Sequence, residues 1–249
     1  MSSVFDSYGA YYDLLYGDKN YAAEVEYIDN LLKRYGKDTR QIIELGAGTG
    51  IHGSLLAEKG YKINGIELSS QMVARARVSS GFSIQQGDIR SLRLNQTFDA
   101  AISLFHVLSY QVTNEDILET LKTAHLHLRP GAIFIFDFWY SPAVYSQRPE
   151  SRVKTMENAQ AKITRWAEPK IYANENRVDV QYKIHAEEIQ TRKTDEFFET
   201  HSMRHFSLPE IDLLATATGF ERIQAEEFLT AAAPSENTWG VCVVLRRRP

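Results

Sequence analysis

From residue 41 to residue 136, short runs of continuous apolar residues alternate with stretches of helical periodicity. The runs Gln41–Leu45, 63–67, Phe82–Gln86, 98–104 and 132–136 have little polar face, the pattern of strands buried on both sides. Before them, Tyr21, Val25, Ile28, Leu31, Leu32 and Tyr35 share one helix face, and Gly36 stops that helix. A short helix over 53–59 ends at Gly60, and Ser69 is placed to cap another through Met72, Val73 and Ala76. Asn114 is placed to cap a helix carrying Ile117, Leu118, Leu121 and Leu128, with Glu115 and Asp116 at its positive end. Pro130-Gly131 then turns into the last run. This order predicts a parallel sheet covered by helices on both faces.

The period changes after Trp139. Val178, Val180, Tyr182 and Ile184 alternate with Asp179, Gln181, Lys183 and His185, and Asn174-Glu175-Asn176 offers a turn before them. A structureless loop of that length does not suit a compact domain. Residues 140–206 therefore read as an antiparallel insertion laid over one edge of the sheet. A helix over 209–217, stopped by Gly219, and strands over 220–228 and 239–246 close the chain. Three segments result: 1–139, 140–206 and 207–249.

Composition narrows the function. The 249 residues are 43% hydrophobic and 24% charged, which excludes a disordered chain, and the net charge of -4 disfavours a nucleic-acid binder. The basic run Arg246-Arg247-Arg248 reads as a solvated tail. Cys242, the one cysteine, allows neither an intrachain disulfide nor a cysteine zinc site. With no signal-peptide pattern after Met1 and no apolar window of membrane length, the expectation is a cytoplasmic protein without membrane contact.

Chemistry concentrates where strands end. Glu44-Leu45-Gly46-Ala47-Gly48-Thr49-Gly50 is a strand feeding a glycine turn at a helix start, a place where backbone N–H groups can meet a ligand. The run from Gly48 to Gly53 matches the dinucleotide pattern GxGxxG, but that pattern should begin where Gly46 stands. Glu44 would also oppose a pyrophosphate. A sulfonium nucleoside, S-adenosylmethionine, would instead be favoured by acidic neighbours. Glu67 ends the second strand, where a carboxylate can accept both ribose hydroxyls, and Asp88-Ile89 ends the third, where they can meet an adenine.

Glu44-x-Gly46-x-Gly48-x-Gly50, Glu67, Gly87-Asp88-Ile89, Phe98-Asp99-Ala100 and Leu128-Arg129-Pro130-Gly131 resemble the motif series of class I S-adenosylmethionine-dependent methyltransferases. Tyr12-Asp13-Leu14-Leu15-Tyr16, followed by Tyr21-Ala22-Ala23-Glu24 and the insertion, is similar to the N,N-dimethyltransferases of deoxyamino-sugar biosynthesis. The resemblance implies an α/β fold: a Rossmann-like, mostly parallel seven-stranded sheet with helices on both faces and an inserted antiparallel β cap. It implies transfer of a methyl group from S-adenosylmethionine, leaving S-adenosylhomocysteine, to the amine of a nucleotide-linked amino sugar. O-methylation of a sugar or other small metabolite, and a non-catalytic S-adenosylmethionine-binding scaffold, are the alternatives. A small-molecule acceptor is the expected partner, and a homodimer is left open.

On this reading Tyr21, Glu44, Gly46, Ala47, Gly48, Thr49, Gly50, Glu67, Leu68, Met72, Asp88, Ile89, Leu104 and Phe105 hold the cofactor. The acceptor belongs at the end of the fourth strand, where His106 can take a proton, as can Tyr110 with a lowered pKa. Tyr12 joins them as a catalytic candidate that, with Tyr21, can close over the cofactor; a core stripe would show the same spacing. In the amino-sugar family a histidine aligns near Tyr110, and this chain departs there. Trp139, Arg204 and His205 are the expected acceptor contacts, with Arg204 the candidate clamp for a diphosphate. The insertion also offers His201. No cluster has metal-ligand spacing, so no metal is expected.

Overall fold

The computed structural model describes Leu15 and residues 19–249; Tyr12 and the other aromatic residues before Leu15 lie outside that range, as does Tyr16. Helix α1 (Tyr21–Tyr35) leads into β1 (Gln41–Leu45), α2 (Ile51–Glu58), β2 (Lys62–Glu67), α3 (Ser70–Arg75), β3 (Phe82–Gln86) and β4 (Phe98–Ser103). After a 3-10 turn (Val107–Tyr110) come α4 (Asn114–His127) and β5 (Leu128–Tyr140). The strands run in the order β3-β2-β1-β4-β5, all parallel. β11 (Gly240–Arg247) lies antiparallel beside β5, and β10 (Phe220–Glu227) beside β11. The expected sheet of seven strands is present.

Alternate side chains of the same strands supply two cores. Ile43, Leu45, Phe134 and Phe136 face α4 and α6 (Leu208–Ala217), meeting Ile117, Leu121, Ile211 and Leu214. Ile42, Ala100, Ile102, Ile133 and Ile135 face the other way, onto Val25, Ile28 and Leu32 of α1 and Leu56 of α2. This is why the central runs β1 and β4 carry almost no polar face: their residues are buried by one helix layer or the other, worth about 1.5–3 kcal/mol for a large apolar side chain. At the sheet edge, β3 instead exposes Ser83, Gln85 and Gln86. Two local readings shift. Ser69 caps α3 as expected, but Thr113, whose side chain accepts from the Asp116 amide, caps α4, and Asn114 is its first helical residue. Pro130-Gly131 lies within β5 rather than before it, where β4 and β5 slip register between Phe98 and Ala100.

The insertion comprises α5 (Ser141–Gln147) and four long antiparallel strands, β6 (Arg152–Glu157), β7 (Ala161–Tyr172), β8 (Arg177–Glu188) and β9 (Thr194–Phe206). It does not lie over a lateral edge. β9 pairs with the carboxyl end of β5 through Trp139–His205 and Tyr140–Phe206, so the cap extends an interior strand beyond the sheet. The anchor is apolar: Phe206 is fully buried among the core aromatics, its ring 5.6 Å from that of Phe138. The turn between β7 and β8 places Asn176 at φ 48°, a left-handed conformation that asparagine tolerates.

Candidate functional site

The carboxyl ends of the parallel strands open into a cavity of about 550 Å³ whose far wall is the cap. Gly46, Ala47, Gly48 and Thr49 line it. Most of the loop's amides are turned inward: those of Gly46 and Ala47 donate to the Ile66 carbonyl, that of Gly50 to the Ala47 carbonyl, and that of Gly48 to Glu67 Oε2 at 2.8 Å. The loop is thus locked by the protein and is not an open cradle of donors. Gly48 sits at φ +59° with nothing closer to its absent Cβ than Met72 Sδ at 3.9 Å, leaving its surface open to a ligand. Gly50 does not line the cavity. It caps α2 at φ +78°, and a Cβ there would meet Phe82 Cζ at 2.4 Å, so its role is packing.

The acidic residues divide by position. Glu67 and Asp88 line the cavity beside Ile89, Leu68 and Met72. Glu67 accepts from the amides of Gly48 and Ser69; burial raises its pKa against the pull of these donors. Asp88 is held below the usual carboxylate range by Arg90, whose guanidinium also reaches Asp116. Glu44 lies behind the loop rather than on the cavity surface. Burial, with Glu67 nearby, pushes its pKa up to about 8, and its Oε2 has no hydrogen-bond partner among the described residues. Carboxylates packed this tightly oppose an anion and would be relieved by a cation. The sheet side of the cavity fits a nucleoside bearing a sulfonium and disfavours a pyrophosphate there.

At the end of β4, Leu104, Phe105 and His106 enter the wall, the last two at φ 66° and 61°. Paired non-glycine residues in this region store strain that the surroundings must hold. Asp137 on β5 does so: it is 1% exposed, accepts from the His106 main-chain amide, and its Oδ2 lies 2.7 Å from His106 Nδ1. Burial raises the Asp137 pKa, but His106 more than compensates and holds it low. Beside them a second ionic cluster, absent from the sequence reading, joins Lys19, Glu24 and His52, with His52 Nε2 2.7 Å from Glu24 Oε2. Lys19 also stands 4.4 Å over the Phe105 ring and 4.2 Å over that of Tyr21, which lines the cavity as expected. No group of side chains suited to a metal occurs among the described residues.

The cap wall is where expectation and structure part. Trp139 and Tyr110 line the cavity as expected, but Arg204 and His205 do not. Arg204 is 8% exposed, donating to Asn114 Oδ1 at 2.8 Å and to Glu210 on the opposite face of β9. His205 is buried against Ser141 and Tyr145, and burial, with Arg204 beside it, pushes its pKa down to about 4. In their place Arg165, Val180, Tyr182, His201 and Met203 face the cavity from β7, β8 and β9. The Arg165 guanidinium stacks on Tyr182 at 4.8 Å, and Tyr182 meets the His201 ring edge-on at 4.8 Å. The alternation along β8 already carried Val180 and Tyr182 on one face; only the pairing shows that this face is the wall.

Residues 42–131 match the methyltransferase domain family. The chain is 30% identical over 138 residues to the dTDP-3-amino-3,4,6-trideoxy-alpha-D-glucopyranose N,N-dimethyltransferase of Streptomyces venezuelae, covering 54% of this chain and 58% of that protein. It is 27% identical over 237 residues to a putative methyltransferase of Bacillus subtilis, covering 93% of this chain and 92% of that one. Among solved structures, an S-adenosylmethionine-bound amino pentose methyltransferase from Micromonospora echinaspora superposes with a TM-score of 0.76 at 21% identity, over 99% of each chain. The resemblance and the fold read from the sequence are borne out.

Proposed function

We propose that the chain is an S-adenosylmethionine-dependent methyltransferase acting on the amine of a nucleotide-linked amino sugar. The observation that carries this is one cavity with two opposed chemistries: carboxylates at the ends of β2 and β3, and a guanidinium, Arg165, on the cap. When bound, S-adenosylmethionine would supply an electrophilic methyl group on sulfur. Glu67 would accept the ribose hydroxyls, Asp88 and Ile89 would hold the adenine, and Tyr21, Thr49, Phe105 and His52 would border the methionine end. Arg165 takes the role first given to Arg204, pairing with a phosphate of the acceptor, while Trp139 and Tyr182 supply flat surfaces for the sugar. Alignment of acceptor and methyl group in such a closed space contributes up to about 7–11 kcal/mol in well-oriented cases.

The test is incubation with methyl-labelled S-adenosylmethionine and three acceptors: a dTDP-linked 3-amino sugar, the corresponding 3-hydroxy sugar, and a free amino acid. Label on the amino sugar alone is expected. Label on the hydroxy sugar alone would convert the reading to O-methylation. No label on any, with S-adenosylhomocysteine still bound in calorimetry, would leave a binding scaffold.

A further inference from the structure

Three imidazoles with carboxylate partners face the cavity, and they differ in where a proton can go. His52 leans on Glu24, which Lys19 already neutralises. His106 leans on Asp137, which is 1% exposed and ends in the core. His201 belongs to a chain that runs from Tyr110 at the cavity along β9 to Glu199, whose carboxylate is less buried than that of Asp137. The Tyr110 hydroxyl lies 2.8 Å from His201 Nδ1, and His201 Nε2 lies 3.2 Å from Glu199 Oε2. The His201 side chain is 3% exposed and that of Glu199 is 11% exposed. A neutral imidazole has one donor nitrogen and one acceptor nitrogen. Since a carboxylate can only accept, Nε2 carries the hydrogen toward Glu199, and Nδ1 is left to accept from Tyr110.

We propose that Tyr110, His201 and Glu199 form the proton relay of the methyl-transfer site. An ammonium acceptor has no lone pair and must lose a proton before it can attack a methyl group. In the relay an acceptor N–H proton passes to Tyr110 Oη as the Tyr110 hydroxyl proton passes to His201 Nδ1. The N–H electron pair stays on nitrogen as the nucleophilic lone pair, and the imidazolium formed is compensated by Glu199. Among the described residues, His201 is faced by Tyr110 from the 3-10 turn, Tyr182 from β8, Glu199 on its own strand and, through Tyr182, Arg165 from β7. Tyr110 touches the acceptor; Glu199 acts through His201 and is a positioning residue. The turn and β9 are joined only by folding of the cap, since Tyr110 and His201 are 91 residues apart.

The proposal rests on the amine reading above, and its test separates the two. First, the imidazole nitrogens of His201 are read by 15N NMR in the full chain saturated with S-adenosylhomocysteine, assigned with His201→Gln. Hydrogen on Nε2 is expected; hydrogen on Nδ1 would overturn the relay whatever the enzyme methylates. Second, Tyr110→Phe is assayed with the dTDP-linked 3-amino-3,4,6-trideoxyglucose carried by the relative's name. A fall in kcat of about 100-fold is expected near neutral pH, with S-adenosylhomocysteine affinity kept. That deficit should shrink as pH passes the acceptor amine's own pKa, where solvent removes the proton unaided. Glu199→Gln should move the acid limb of the kcat profile to lower pH, with little change in KM. Wild-type kcat in Tyr110→Phe, or an equal deficit at every pH, would overturn the relay. If the wild-type chain leaves this sugar unmethylated, the acceptor reading fails while the NMR result still decides the relay.

Discussion

The cavity's two walls are built on different principles. On the sheet wall, position is set by backbone: the loop amides are satisfied by Ile66, Ala47 and Glu67, and each carboxylate stands where a strand ends. On the cap wall, position is set by side chains on three long strands, in register through Arg165–Ile184, Tyr182–Glu199 and Val180–His201. A slip of one residue on the sheet wall would destroy a turn. A slip of one residue on the cap would leave the sheet intact and turn Arg165 or His201 to the opposite face. The first wall is suited to a constant ligand, and the second can change its acceptor by substitutions that leave the cofactor end alone.

The largest expected effect tests whether the sheet wall is the stiffer. Asp137→Ala removes a buried carboxylate from beneath two left-handed residues and should cost about 3–5 kcal/mol of stability in denaturant titration. Glu196→Gln, in an exposed ion pair with Lys183 on the cap, should cost less than about 1 kcal/mol. Equal losses would erase the contrast.

Glu44 gives the next effect, through pH. Its folded pKa of about 8 lies above the ordinary 4.5, so the native chain keeps a proton that the unfolded chain releases. Stability from this group is therefore full below pH 4.5 and is lost as pH rises toward 8, at up to about 1.4 kcal/mol per pH unit. In ligand-free protein, Glu44→Gln should flatten that slope and gain on the wild type between pH 5 and pH 8. A difference that stays constant over this range would mean Glu44 is ionised in the native state.

How legible each wall was follows from the same contrast. Glu67, Asp88 and the loop could be read because one short segment holds both the signal and the position. Gly50 and Glu44 were read as ligand contacts because the motif does not distinguish a residue on the surface of a turn from one behind it. On the cap, Arg204 failed on parity, whereas His205, on the face of His201, is covered by Ser141 and Tyr145. Along β9, His201 and Met203 share one face and Arg204 the other, so Arg204 could not join His201 on the same wall. The alternation was visible, but which face met the cavity depended on pairing with β8 and on the anchoring of Phe206. The partners of Arg204, Asn114 and Glu210, come from α4 and α6, and no spacing along the chain announces them.

A smaller effect isolates the cofactor end. Glu67→Ala should weaken S-adenosylhomocysteine binding by about 1.5–3 kcal/mol in calorimetry, the range for hydrogen bonds to a charged group. Arg165→Ala should leave that affinity unchanged. Loss in both variants would mean that the two walls share one ligand.

The smallest effect is confined to the acceptor and decides which arginine serves it. Arg165 faces the cavity stacked on Tyr182, whereas Arg204 is tied to Glu210 and Asn114 behind β9. Lysine keeps the charge but loses the planar fork and most of the stacking. Arg165→Lys should therefore raise KM for a dTDP-linked amino sugar by about tenfold, equivalent to ~1.4 kcal/mol. It should leave KM for the same amino sugar without its nucleotide nearly unchanged. Arg204→Lys should lower the denaturation midpoint and alter neither KM, because its guanidinium holds α4 and α6 to the cap. If Arg204→Lys instead discriminates between the two acceptors, the cap must rearrange on binding and expose the other face of β9. An equal rise in both KM values for Arg165→Lys would leave Arg165 as a packing residue of the wall and remove the phosphate from the acceptor's recognition.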